Sequence, residues 1–539
     1  MSLPLPSFFQ HRTIPQFLRC HAEKNPNKTA VVAWSGIKRK KMRLSYAELN
    51  QLTDLLAASF YELKIQKGER MAIFMDNEHG IECILSLYAA HKIGAINVPI
   101  NTRYSEPELK YILEHCEAST VITSANLLPK VQRIAKECPN LRRIIVTDVL
   151  PLESSSSNAV IQIYSFQNLI EDRIYFSPSI SVEENDDADI LYTSGTTAHP
   201  KGVIHTHASA VATGYSVGGA LGLSEKDVYQ SSFPFFTSSG SHFNLLSVLF
   251  YGATMVLDRK FDVEETLSTM EAEKTTVYVG VPAVYTFILE SGKVPSYQLT
   301  SLRLLDYGGA PMPKQVILDL LKNFPGIELR QTYGLTEAGP TGTCLTGEYA
   351  LEKLGSVGQA MPLIEVKIVD EKDQEVGPNM IGEICYRSPA NMRGYLKDDK
   401  ATKETLRDNW VYSGDLVYRD EDGFIYHVDR KKDMVIRGGF NISSQEVENC
   451  LYQHPAVLEV AVVAKPHKKL GEDIKAFIVF REAKSVTTEE IITFCHERLA
   501  DFKVPRDIEI IEALPRNPMG KVLKTELRKR VEKIGSDNK

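Results

Sequence analysis

None of the eight cysteines, at positions 20, 83, 116, 138, 344, 385, 450 and 495, stands in a C-x-x-C pair. That spacing excludes a zinc knuckle and suggests no disulfide framework, so a reducing, cytoplasmic setting is expected. Nor is there an excess of basic charge. With 62 Lys and Arg against 69 Asp and Glu, the formal charge is -7, and a nucleic-acid partner, which needs a basic face to neutralise phosphates, is not expected. No apolar run is long enough to cross a bilayer, and MSLPLPSFFQ lacks a basic stretch followed by an apolar core, so neither a membrane span nor an export signal is expected. No internal repeat is visible. What is present is a chain of 539 residues with 43% hydrophobic content, more than one core usually holds, so at least two domains and a small-molecule partner are expected.

The first third alternates helix and strand signals. Leu49, Leu52 and Leu56 fall at helical spacing behind a Ser45/Glu48 capping box, RMAIFM and AINVPI read as buried strands, and a second box, Ser105/Glu108, opens a helix before the strands STVIT and RIIVTD. This βαβα rhythm predicts a parallel sheet. ESSSSNAV, residues 153–160, reads as a surface loop, and the basic run Lys38–Lys41 as a solvated turn. The strands ATMVLD, TTVYVGV and LRLLDYGG continue the rhythm to about residue 340; from Gly355 to Asp429 short β runs and turns such as DEDG predict a smaller β unit. A final α+β segment, with strands EVAVVAK and IKAFIVF and a helix opened by Thr487 and Glu490, follows a boundary near Lys432.

The stretch DILYTSGTTAHPKGV begins as an apolar strand and then loses every large side chain from Thr193 to Thr197. Such a loop presents backbone N–H groups and hydroxyls to an anion, although a surface turn has the same composition. It is not a Walker loop, because Lys201 follows Pro200 and precedes Gly202, and the Gly520-Lys521 pair is followed by Val522 rather than Ser or Thr.

Together with YTSGTTAHPKG, the segments YGGAPMP (307–313), QTYGLTE (331–337), YSGDL (412–416), DRKKDMVIRGGFNI (429–442) and PRNPMGK (515–521) resemble the adenylate-forming enzymes. These are the acyl-CoA synthetases, luciferases and peptide-synthetase adenylation domains, and the resemblance runs in the family's order over nearly the whole chain. It implies an α/β fold: a large N-terminal domain of doubly wound subdomains plus a small β-barrel-like unit over residues 1–430, and a smaller, mobile α+β domain over 431–539 hinged at Lys432. It also implies a reaction in which a carboxylate attacks the α-phosphate of ATP, so that bringing an anion toward a polyanion is the electrostatic problem to be solved.

By resemblance, Thr193, Ser194, Gly195, Thr196 and Thr197 hold the β- and γ-phosphates with Lys201, while Thr196 and Glu337 hold Mg²⁺, a hard ion that prefers oxygen. Gly308, Gly309 and Ala310 admit adenine beside Gln331, Thr332, Tyr333, Gly334 and Thr336, because a flat base approaches backbone only where bulk is absent. Asp415 and Arg430 take the ribose, although each is also a residue type common in surface ion pairs. Lys521 is the chief catalytic candidate, its ammonium reaching both the substrate carboxylate and the α-phosphate, with Thr196 and Glu337 as further catalytic residues. Rotation of the small domain replaces Lys521 by Gly438 and Gly439, lining a tunnel for the CoA thiol, although Gly-Gly also makes an ordinary turn.

Departures from the family pattern bear on the acid. Ala198 and His199 replace a frequent glycine and a variable residue, Met519 replaces a hydroxyl residue, Phe235 stands where amino-acid-activating relatives place an aspartate, and Thr237 stands where many acyl-CoA synthetases have histidine. An α-amino acid is therefore disfavoured. Phe235, Phe236, Thr237, Ser238 and Val281, with Val279 and Pro282, are the expected acyl pocket, though core packing accounts equally well for the valines. The expectation is an ATP- and Mg²⁺-dependent acyl-CoA synthetase for a fatty or similar carboxylic acid, with a homodimer compatible. Alternatives are an acyl-AMP ligase serving a carrier protein, disfavoured because only about 18 residues follow PRNPMGK without a carrier domain, an amino-acid adenylating enzyme, a luciferase-like oxygenase, and a non-catalytic nucleotide or acyl binding protein.

Overall fold

The computed structural model describes residues 3–7, 9–148, 161–171, 180–193, 199–310, 312–481, 486–516 and 522–536. The chain divides into two compact units, Met1–Val366 with Tyr386–Tyr412, and Lys367–Cys385 with Ser413–Lys539. The first unit contains two open sheets. In one, the strands Gln162–Ser165, Arg143–Val146, Thr120–Thr123, Arg70–Phe74, Ile96–Pro99 and Asp187–Thr193 run parallel, with Lys201–Thr206 and Gly394–Tyr395 added antiparallel at one edge. In the other, Glu328–Leu335, Leu304–Gly308, Val277–Gly280, Val228–Ser231, Thr254–Leu257 and Thr29–Ser35 are parallel, flanked by antiparallel strands. Chain order reverses about Arg70–Phe74 and about Val228–Ser231. The carboxyl ends of strands at such a switch leave a crevice where ligands bind.

Local chemistry explains the elements. Both early capping boxes form: Ser45 N donates to Glu48 Oε2 at 2.7 Å, and Ser105 N donates to Glu108 Oε2 at 2.7 Å. Each satisfies helix-end donors for about 1 kcal/mol. The strands are apolar on both faces because helices cover both, as Ile73, Val98, Val121 and Ile144 show by their burial. Burying each such side chain contributes about 1.5–3 kcal/mol. The Lys38–Lys41 run lies at the turn between Thr29–Ser35 and Lys40–Ser45, where Lys38 pairs with Glu171 at 3.0 Å across exposed surface. The segment 153–160 lies outside the described residues. The eight cysteines are free thiols, and no helix among the described residues is long and apolar enough to cross a membrane.

In the second unit, strands Val457–His467 and Gly471–Phe480 form a long hairpin joined by Val435–Arg437, Phe440–Ile442 and Asp507–Ile510. Helices Ser444–Tyr452 and Thr488–His496 pack on it through Val447, Leu451, Ile491 and Cys495. The Thr487/Glu490 capping box opens the second of these. The turn DEDG forms as expected, with Gly423 at φ +87 and Phe424 N donating to Asp420 Oδ1.

Candidate active site

The strand Asp187–Thr193 returns as Lys201–Thr206 in an antiparallel hairpin, Thr193 opposite Lys201 and Tyr192 opposite Gly202. The described residues on either side of the Ser/Thr/Gly segment are thus fixed by strand pairing. Ser194, Gly195, Thr196, Thr197 and Ala198, and on the later motif Met519, Gly520 and Lys521, lie outside the described residues. At the far side of the loop the His199 ring stacks on Tyr111 at 4.4 Å, and Tyr111 stacks in turn on His115 at 5.2 Å. His115 Nδ1 meets the Tyr192 hydroxyl at 2.8 Å, so one helix grips both ends of the loop.

Lys201 lies with its ammonium 4.8 Å from the centre of the Tyr395 ring. The hydroxyl of the same tyrosine donates to Glu337 Oε1 at 2.8 Å. One aromatic side chain therefore holds a cation on its face and a carboxylate on its hydroxyl, a cation–π contact and a charge-assisted hydrogen bond. Burial, then the Glu337 charge, pushes the Tyr395 hydroxyl far above its ordinary range, so it remains a donor. Sequence reading missed Tyr395. It arrives on the two-residue strand Gly394–Tyr395, which pairs with the hairpin through Tyr395 opposite Val203. The only signal in the sequence is a tyrosine after glycine in NMRGYLKD.

Glu337 occupies a short 3₁₀ turn, Thr336–Ala338, at the end of Glu328–Leu335, and its carbonyl accepts from Met392 N at 2.8 Å. Thr336 is tied twice: its carbonyl accepts from His205 Nε2 at 2.9 Å, and its hydroxyl meets Ser238 Oγ at 2.8 Å. Burial and the neighbouring His242 lower the His205 pKa to about 3, so the ring is neutral and its Nε2–H is available to donate. The Ser238 contact joins the expected acyl segment to the expected nucleotide segment directly.

Gly308 stands opposite Thr332 in the parallel register, and a Cβ there would lie 2.5 Å from Thr332 O, so no other residue fits. Gly309 has φ +78 and, with Ala310, is exposed. Tyr333 and Gln331 are half-buried on the neighbouring strand, Gly334 is exposed, and Thr332 is buried, donating to Asp306 Oδ2 at 2.9 Å. Burial drives the Asp306 carboxyl well above the usual carboxylate range, favouring its acid form. No motif in the sequence marks this aspartate.

The acyl candidates follow Val228–Ser231, at the reversal of strand order. Phe235 is buried; Phe236, Thr237 and Ser238 are half-buried; Val281 caps the helix Pro282–Glu290 and packs against its core. Thr237 Oγ1 donates to Pro234 O at 2.7 Å and accepts from Gly240 N at 2.9 Å. At the position where many acyl-CoA synthetases carry histidine, this chain thus uses a hydroxyl to cap the next helical segment.

The remaining candidates belong to the second unit. Asp415 is 4% exposed and directly opposite Arg430, whose Nε lies 3.2 Å from Asp415 Oδ1. Lys432 lies in the turn that follows, where Arg528 donates to its carbonyl at 3.2 Å and also pairs with Asp433. Gly438 and Gly439, at φ +58 and +87, are the two loop residues of the hairpin joining Arg437 to Phe440. A type I′ turn requires positive φ at both, which alone accounts for the glycines. Among the described residues, no group of three or more His, Cys, Asp or Glu side chains is arranged to hold a metal.

Compared with known proteins, residues 18–396 match the AMP-binding enzyme family and residues 446–521 the AMP-binding enzyme C-terminal domain. The chain belongs to the AMP-binding enzymes. It is 33% identical to a 2-succinylbenzoate–CoA ligase of Bacillus cytotoxicus, over 96% of this chain and 99% of that one. It is likewise 33% identical to a long-chain-fatty-acid–CoA ligase of Mycobacterium tuberculosis, over 96% and 98%. The structure of O-succinylbenzoate coenzyme A synthetase from Bacillus subtilis with ATP and magnesium superposes with a TM-score of 0.81 at 27% identity, over 96% of this chain and 99% of that one. This AMP-binding enzyme is an adenylate-forming ligase of the acid–thiol type, with the α/β architecture its motifs implied.

Proposed function

We propose that the enzyme activates an apolar monocarboxylic acid, of the fatty-acid class, as its adenylate and transfers the acyl group to the thiol of CoA. The observation that carries this reading is the 2.8 Å contact between Ser238 and Thr336, which sets the acid-side segment against the nucleotide-side segment beyond the carboxyl ends of two strands of the same sheet, Val228–Ser231 and Glu328–Leu335. Lys201 and Lys521 offset phosphate charge as the carboxylate oxygen bonds to the α-phosphorus and pyrophosphate leaves. Gly308 and Gly309 admit adenine, Asp415 and Arg430 take the ribose, and Glu337, its Oε1 oriented by Tyr395, holds Mg²⁺ with Thr196. The ion supplies charge neutralisation on the departing phosphates. The boundary at residues 430 and 431, rotation about Lys432 and a CoA tunnel at Gly438 and Gly439 belong to the same proposal, as does a cytoplasmic location.

A second reading, an aryl acid bearing a second carboxylate, is favoured by the 2-succinylbenzoate–CoA ligase among the relatives. Against it, the segment FPFFTSSGS at 233–241 carries no Lys or Arg to receive that carboxylate. The test is pyrophosphate release with ATP and Mg²⁺ across fatty, aryl and amino acids, with and without CoA. Release with a fatty acid, raised by CoA and matched by thioester, is the expected result; release with 2-succinylbenzoate alone would establish the second reading.

A further inference from the structure

We propose that Asp189 and His242 are positioning residues that set which acids the enzyme accepts, by fixing the register of the π-helical segment Ser239–Leu246 that follows Thr237 and Ser238. The proposal rests on the reading that residues 235–238 face the acid. A π-helix eight residues long is rare, and such widened turns concentrate at functional sites. Here both ends of its first turns are fixed. Thr237 caps it, and at Gly240 a Cβ would stand 2.1 Å from Pro234 O, so the entry is closed to any larger residue. Two residues further on, His242 is 1% exposed and donates through Nε2 to Asp189 Oδ2 at 3.1 Å.

Asp189 is itself buried, 3% exposed, on the strand that runs into the phosphate loop. Its other oxygen accepts from His91 Nε2 at 3.0 Å. Burial alone would raise the pKa of this carboxyl, but the two imidazoles outweigh burial and hold it well below the usual range. An ionised carboxylate in the interior demands its donors. Rewinding the segment to an α-helix would turn His242 away and strip one of them, so the carboxylate selects the wider helix. The ring of contacts closes on the site. His242 packs on His205 at 5.0 Å, His205 donates to Thr336 O, and Thr336 meets Ser238, the residue immediately before the π-helix. The distances are those of hydrogen bonds rather than metal ligation.

The test uses the full-length enzyme and compares kcat/KM for pyrophosphate release among hexanoate, dodecanoate and benzoate, with KM for ATP and the melting midpoint as controls. His242→Ala and Asp189→Asn are expected to change the ratio between acids by about tenfold, the order a shifted pocket wall commands, while KM for ATP moves less than about twofold. His242→Gln, which keeps a donor at the same reach, is expected to restore most of the ratio. His91→Gln, meeting the same carboxylate from the helix Gly80–Lys92, is expected to lower the melting midpoint and leave the ratio unchanged. Should the first two variants fail to fold, Gly240→Ala, which must displace the entry, carries the test and is expected to shift the ratio. Equal slowing for every acid in the folded variants overturns the proposal. A ratio moved by Phe236→Ala but not by His242→Ala overturns the tie alone; a ratio moved by neither overturns the pocket reading beneath it.

Discussion

At the hairpin edge of the first unit, Lys201 and Glu337 are held by a third side chain, Tyr395. At the turn in the second unit, Gly438 and Gly439 both take positive φ, Gly438 N donates to Leu470 O at 2.8 Å, and among the described residues no atom beyond the adjacent ones lies within 4 Å of a Cβ built at Gly439. The first arrangement specifies residues through contacts and tolerates no partner lost. The second specifies glycine through φ and leaves the space above it open. The difference fits the roles proposed above: a phosphate-handling site needs charges at fixed places before the nucleotide arrives, whereas a passage for a thiol needs the absence of side chains.

Separating the two half-reactions is expected to give the largest effects. Lys521→Ala is expected to slow adenylate formation by about 100- to 1,000-fold, the worth of one electrostatic stabiliser. Thioester formation from supplied acyl-adenylate should stay largely intact, and equal loss of both steps would refute the division of labour. Gly439→Leu is expected to do the reverse, slowing the thioester step by about 100-fold through obstruction and misplacement. Gly439→Asn tolerates positive φ, and if it slows the thioester step as much as leucine, side-chain bulk rather than backbone strain is responsible. An unimpaired overall rate in Gly439→Leu removes the tunnel. Tyr395→Phe breaks the hydrogen bond to Glu337 but keeps the ring under Lys201, and is expected to lower kcat for adenylation by about tenfold, one charge-assisted hydrogen bond. Titration of the rate against Mg²⁺ should show a weakened response, and an unchanged curve would detach Glu337 from the ion.

The smallest effect concerns the buried imidazoles behind the hairpin. His205 and His207 are lowered to about 3, in each case first by burial and then by a neighbouring histidine, His242 and His91 respectively. Both are therefore neutral in the folded chain while the unfolded chain binds protons below its ordinary pKa. Stability is then full above about pH 6.5 and falls as pH drops toward 3, by about 2 kcal/mol for each histidine at pH 5. Denaturant midpoints at pH 7 and pH 5 measure this, and His207→Asn should flatten the difference.

What the sequence made legible was local. The Ser45/Glu48, Ser105/Glu108 and Thr487/Glu490 boxes lie within one helical turn, and the Gly-Gly turn within four residues, so the chemistry that decides them is contiguous. The pairing of Asp415 with Arg430 was half legible, since both residues were singled out but their register was not. Tyr395, Asp189 and Asp306 were not legible. Each acquires its role from strand neighbours brought together by the sheet, and an aspartate inside an apolar run looks the same whether it faces solvent or two imidazoles. The compact units themselves are discontinuous: residues 367–385 belong with the second and 386–412 with the first, so the chain crosses between units three times.

The strand Gly394–Tyr395 also has a consequence for synthesis. Lys201–Thr206 has Asp187–Thr193 on one side and Gly394–Tyr395 on the other, and this last partner leaves the ribosome long after the hairpin itself. Until then one edge of the hairpin is open to pairing with any passing strand. The same tyrosine that later steadies Lys201 and Glu337 thus pairs with that hairpin edge, so that the nascent chain fixes this pair of charges, proposed above to meet the nucleotide, and covers the hairpin edge in a single late event.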